Sequence, residues 1–193
     1  MIKDKIASTI RESIAVKEAI CQDEILLSTI QQVAETITRS LRTDNKILFC
    51  GNGGSAADAQ HLAAEFSGRF YKDREPLYAE ALHCNTSYMT AVGNDYGYDQ
   101  VYSRIIRGIG RSGDVLVAIS TSGNSGNILE AMKVAKEKGM LIIAMTGATG
   151  GKMKETCHFL INVPSTDTPR IQEAHITVGH IICEIVENNL FSA

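Results

Sequence analysis

Apolar positions in the first 42 residues recur at helical spacing. Ile6, Ile10, Ile14 and Val16 make one set; Ile25, Ile30, Val33, Ile37 and Leu41 make a second. Neither Pro nor Gly interrupts the segment. The pattern predicts helix throughout, with a break near Cys21-Gln22-Asp23, where Asp23 can cap a second helix. These helices carry more apolar surface than a lone helix on a sheet would hide, which points to a subunit interface; the plainer alternative is that they cover one end of the domain.

From Lys46 onward the pattern changes. Short apolar runs at residues 46–50, 78–82, 114–120, 141–146 and 159–163 read as strands, with helical stretches between them and a long final helix over about 171–189. Strands separated by helices imply a parallel sheet with right-handed crossovers. The runs are nearly continuous in apolar residues, as expected when both faces of the sheet are covered. The expectation is therefore an α/β fold in a single domain of residues 1–193: an N-terminal helical segment (1–42) and a core (46–193) with a five-stranded parallel sheet flanked by helices.

Composition changes this picture little. A 44% hydrophobic and 21% charged chain is ordinary for a soluble globular protein, and a formal charge of -3 offers no basic footprint for nucleic acid. No apolar stretch reaches the roughly 18 residues that span a bilayer, and the N-terminus mixes charge through its apolar positions, unlike a secretory signal. The five cysteines are far apart and form no C-x-x-C pair, so most read as buried hydrophobes in a reducing, cytoplasmic compartment.

Two loops stand out at the carboxyl ends of predicted strands, where open parallel sheets bind ligands. Gly51-Asn52-Gly53-Gly54-Ser55 follows the first strand, and Ser120-Thr121-Ser122-Gly123-Asn124-Ser125 follows the third. Glycines let backbone approach a ligand closely, and a following helix offers free N–H groups to an anion. The second loop adds four hydroxyls, which suit a terminal phosphate without Lys or Arg. Position 56 is Ala, so the first loop is not G-x-G-x-x-G, and no Walker-type phosphate loop is present. Capped tight turns are the structural alternative for either loop alone.

Beyond the first loop, His61 and Glu65 fall one turn apart on a predicted helix, a spacing that suits a metal-ligand pair or a base beside its partner, and equally an ordinary surface pair. Asp58, a turn earlier, is placed to orient the His61 ring. His180 sits in an otherwise apolar helix, where a histidine is usually a satisfied core residue. His83 and His175 read as structural or surface residues.

CGNGGSAADAQHLAAEFSGRF and AISTSGNSGN, with AVGNDYGYDQVYSR at 91–104 and RIQEAHITVGHIICEIVE at 170–187, resemble the sugar isomerase (SIS) fold, and within it the phosphoheptose isomerases. The similarity runs from Lys46 across the rest of the chain. It implies Glu65 and His180 as the acid–base pair, with Glu65 at carbon and His180 at oxygen. It implies a phosphate held by Ser55, Ser120, Thr121, Ser122 and Ser125, and a sugar met by Asn52, Gly53, Gly54, Glu65, Asn94, Asp95 and Gln172. Asn94-Asp95 is expected in a loop after Gly93. The resemblance also implies zinc held by His61, Glu65, Gln172 and His180, although Gln172 and His180 would stand about 12 Å apart along a regular helix. Pro169 stands where some members have an acidic residue, with Asp167 two residues earlier. The implied partners are a phosphorylated seven-carbon sugar and, in a homotetramer with shared active sites, further copies of the chain; nucleic acid and membrane are not implied. The competing readings are a non-enzymatic sugar-phosphate-binding or DnaA-associating relative, which lacks the Glu and His, a sensor domain, and an amidotransferase; the last two need a further domain.

Overall fold

The computed structural model describes residues 1–191. Helix α1 (Ile2–Gln22) is followed by α2 (Glu24–Arg42), and Asp23 joins them as expected: its side chain accepts from the N–H groups of Ile25 and Leu26 at 3.1 and 3.0 Å. The core then runs β1 (Ile47–Cys50), α3 (Gly54–Ser67), β2 (Ala79–Ala81), α4 (Thr86–Tyr96), α5 (Val101–Ile109), β3 (Val115–Ile119), α6 (Gly126–Glu137), β4 (Leu141–Thr146), β5 (Phe159–Asn162) and α7 (Thr168–Leu190). The five strands form one parallel sheet in the order β2-β1-β3-β4-β5.

Alternation along each strand divides the core into two layers. Ile47, Phe49, Val115, Val117, Ile119, Ile143 and Met145 pack with α2, α3 and α7 on one face. Leu48, Cys50, Leu116, Ala118, Ile142 and Ala144 pack with α5 and α6 on the other. At the amino ends of β1 and β3 the buried Lys46 and Asp114 pair at 2.6 Å. One expectation needs correcting. Only Cys50 and Cys183 are buried hydrophobes; Cys157 is half-buried, and Cys21 and Cys84 are exposed because they lie at helix and strand ends rather than in inward-facing positions.

The chain leaves β1 toward β2 on one side and returns to β3 on the other. The crevice between the carboxyl ends of β1 and β3 is therefore the switch point of the sheet. Both unusual loops open there.

Candidate active site

The glycine loop depends on its glycines. Gly53 adopts φ 55°, ψ -121°, a conformation an L-residue rarely takes, and caps α3 without a side-chain bond. A Cβ on Gly54 would lie 2.5 Å from the Gln172 amide of α7, so only glycine lets Gln172 rest against the start of α3. Asn52 and Asn127 exchange amide hydrogen bonds of 2.9 Å in both directions, tying the first loop to the first turn of α6. The Tyr98 hydroxyl donates to Asn52 Oδ1 at 3.4 Å, and the Tyr102 hydroxyl to the carbonyl of Gly51.

In the second loop Ser120 Oγ lies 2.9 Å from Ser125 Oγ and 3.4 Å from Ser122 Oγ, while Gly123 turns the chain at φ 65°. Ser125 caps α6, but its hydroxyl bonds Ser120 and leaves the helix without a side-chain cap. The starts of α3 and α6 thus flank one crevice, neither capped by a side chain, with the buried Ser55 on the first turn of α3. Uncapped N–H groups, the partial positive end of each helix and several hydroxyls make a place for an anion. Beside it Thr121 and Ser122 border a cleft of about 280 Å³ that Thr149, Ser165 and Thr168 also line.

The titratable cluster comes from two helices. On α3, His61 Nε2 and Glu65 Oε1 are 2.9 Å apart. α7 crosses close to α3 at Gly179, where a Cβ would lie 2.6 Å from Leu62. Because Gln172 meets Gly54 and Gly179 meets Leu62, the two helices run side by side in the same direction. His180 is thereby carried to His61: their Nε2 atoms are 3.4 Å apart, and their rings meet edge-on at 4.9 Å. The donor atoms of His61, Glu65 and His180 all lie within 4.8 Å of one another, and these three residues could hold a metal ion. The donor chemistry fits zinc: two nitrogens bound at 2.0–2.1 Å in a tetrahedral shell stand about 3.3 Å apart, close to the distance between these imidazoles.

The other expected residues fall as follows. α7 is regular from Thr168, so Gln172 and His180 remain two turns apart, and the Gln172 amide lies at the glycine loop rather than beside His61. Asn94 and Asp95 are not in a loop. They form the last turn of α4, because the chain is broken by Gly97 at φ 85° and not by Gly93. Both are exposed, Asn94 donates to Asp95 at 2.8 Å, and among the described residues neither is bonded to the glycine loops or the histidines. Asp58 does not orient His61: its Oδ2 is buried without a partner, and burial raises its carboxyl while the nearby His61 partly lowers it. His175 is the core histidine of α7, bonded to the carbonyl of Thr146 at 3.1 Å. His83 is half-buried, and burial lowers it. Asp167 caps α7 with Oδ2 3.8 Å from Arg170, whose Nη1 donates to the Thr9 carbonyl of α1.

Sequence reading missed Phe70, Tyr98 and Asn127. The Phe70 ring lies 5.7 Å from that of His180. Tyr98 and Asn127 hold the Asn52 side chain. An aromatic directly after Gly-Arg and an asparagine buried in the first turn of α6 were the available signals.

Residues 10–147 match the SIS domain family. A phosphoheptose isomerase of Aneurinibacillus thermoaerophilus is 54% identical over 98% of this chain and 96% of its own length. The structure of phosphoheptose isomerase from Neisseria gonorrhoeae superposes with a TM-score of 0.91 at 46% identity, covering 97% of this chain and 100% of that one. A phosphoheptose isomerase structure from Francisella tularensis gives 0.93 at 35% identity, over 97% and 99%. With a shared profile, a shared fold and full-length identity above half, the chain belongs to the SIS-domain family, in its phosphoheptose isomerase branch.

Proposed function

We propose that this protein is an aldose–ketose isomerase that converts D-sedoheptulose 7-phosphate to D-glycero-D-manno-heptose 7-phosphate, the first step toward activated heptose for lipopolysaccharide or other surface glycans. The observation that carries the reading is the convergence of a carboxylate and an imidazole, Glu65 and His180, toward the end of α3, a helix whose uncapped start, together with that of α6, suits a phosphate.

The chemistry moves a proton between neighbouring carbons through a cis-enediol, which asks for one group at the C–H bond and another at the oxygens. Glu65 Oε1 is turned to His61, so Oε2 is the oxygen free to take the proton from carbon. His180 delivers and recovers the proton at oxygen. The Phe70 ring lies 5.7 Å from that of His180, tilted 38° to it, and would limit how far the imidazole can turn. Ser55, Ser120, Thr121, Ser122 and Ser125 hold the phosphate; Asn52, Gly53, Gly54 and Gln172 meet the sugar. The exposure of Asn94 and Asp95 supports a site completed from a neighbouring subunit. Zinc, held by His61, Glu65 and His180 with Gln172 as the further ligand the resemblance implies, would polarise the carbonyl and stabilise negative charge on its oxygen. Helix geometry opposes Gln172 in that set more than the other three, since its amide rests two turns away.

The exposed apolar stripe of α1 supports a homotetramer. No helix among the described residues is long and apolar enough to cross a membrane. With five free cysteines, we assign the reaction to the reducing cytoplasm.

The test is direct. Purified protein is incubated with sedoheptulose 7-phosphate, with and without zinc, and aldose formation is followed by NMR beside a Glu65→Gln sample. Turnover in the wild type that is lost in the variant supports the reading. Binding of the sugar phosphate without turnover in either overturns it in favour of a non-enzymatic binding protein.

A further inference from the structure

Residues 68–78, between α3 and β2, form a loop that passes the active site, and one buried ion pair fastens it. Glu187 lies seven residues beyond His180 on α7, two turns along nearly the same face. Its carboxylate accepts from the backbone N–H of Phe70 at 3.2 Å, Tyr71 at 2.9 Å and Lys72 at 3.0 Å, and from Arg74 Nε at 3.0 Å. Arg74 spends its remaining donors on carbonyls: Nη1 on Phe66, Gly68 and Glu75, and Nη2 on Glu65 at 2.9 Å. The two side chains are only 4% and 2% exposed. The guanidinium thus satisfies carbonyls that the end of α3 would leave unpaired, and one of them belongs to Glu65 itself. The carboxylate fixes three successive N–H groups, and the Phe70 ring is thereby laid against His180.

We propose that Arg74 and Glu187 are positioning residues for the acid–base pair, acting on Glu65 through the end of α3 and on His180 through Phe70. The proposal rests on the isomerase reading for its kinetic consequence. One salt bridge sets the relative placement of two groups that lie on different helices, so a change in it moves the chemistry more than the binding of the phosphate, which is held at the far end of α3.

The test uses full-length Glu187→Gln, which keeps the side-chain shape but places an amide N–H against backbone donors. Expected is a fall in kcat of about tenfold to a hundredfold with KM changed by less than about twofold, as for misplaced catalytic groups. A second readout does not need turnover: in histidine-labelled protein the ring-proton resonances of His180 shift as the Phe70 ring leaves it. Phe70→Leu carries the test if Glu187→Gln does not fold. It lowers kcat in the same way, and Phe70→Tyr, which restores the ring, recovers it. A folded Glu187→Gln protein with unchanged kcat and unchanged His180 resonances overturns the proposal, as does a Phe70→Leu enzyme with wild-type kcat. If wild type itself shows no turnover the isomerase reading fails, while the His180 resonances still decide whether the clamp positions that ring.

Discussion

Two histidines five residues apart on α7 show how surroundings divide roles. His180 is half-buried and faces His61; His175 is fully buried against the carbonyl of Thr146. That carbonyl requires a donor, so His175 is the Nε2–H tautomer and its Nδ1 is left without a partner. Burial pushes its imidazole down from 6.5 to about 4, and the bond to Thr146 only partly opposes this. Between those two pH values the unfolded chain binds a proton that the native chain refuses. Stability is therefore complete above about pH 6.5 and falls as pH drops toward 4, by about 3 kcal/mol in full. Denaturant melts at pH 7 and pH 5 should show this loss, and His175→Gln should flatten the difference; an equal acid loss in that variant would remove His175 as its source. At His61 the prediction concerns metal. His61→Ala removes one of the three donors that converge in the cluster, so zinc should bind at least about a hundredfold more weakly by chelator competition. Added zinc should raise the melting temperature of the wild type and raise that of the variant less.

The site at the scale of elements is a matter of how closely α3 and α7 approach. Gly179 sets that approach, because a Cβ there would meet Leu62, itself buried in the core. Gly179→Ala gains intrinsic helix preference yet should still cost about 1–3 kcal/mol by overpacking. By pushing α7 outward it should also weaken zinc binding, whereas Gly108→Ala, at an open helical position, should do neither; melts and metal titration of the two variants compare them. Much of this arrangement was legible in the chain. The apolar runs matched the five strands to within a residue or so at either end, and Asp23 marked its helix start, because both depend on local pattern. The glycine and serine loops were legible for the same reason. What escaped depends on contacts far apart in sequence. Arg74 and Glu187 are 113 residues apart, and nothing in the stretch ICEIVE, which carries both Glu184 and Glu187, marks which carboxylate has a buried partner. Asn94 and Asp95 were misplaced because Gly93 looks like a breaker, yet a glycine with open space around it continues a helix at modest cost.

For the whole molecule, the isolated chain exposes 9677 Å², while a compact monomer of 20.9 kDa should expose about 9,000 Å². On α1, Ile2, Ile6, Ile10 and Ile14 are 80%, 55%, 56% and 48% exposed and recur every fourth residue. Ile20 is the one residue of that helix fully buried within the chain. A stripe of this kind on an N-terminal helix needs a partner, and further copies of the chain would supply one. This helix is not independent of the site: Arg170, two residues before Gln172 on α7, donates to the Thr9 carbonyl of α1 at 2.7 Å. Assembly through α1 would thus brace the helix that carries His180. Sedimentation of the wild type should report about 84 kDa, four chains of 20.9 kDa each. Ile6→Glu/Ile10→Glu should sediment as smaller species while keeping the α/β circular dichroism spectrum, because neither side chain contributes to the core. Its turnover should fall with its mass, because Asn94 and Asp95, exposed and not bonded to the glycine loops within one chain, would meet the proposed sugar site only across an interface. A wild type that sediments as a monomer, or a dissociated variant with full activity, would sever the link between assembly and catalysis.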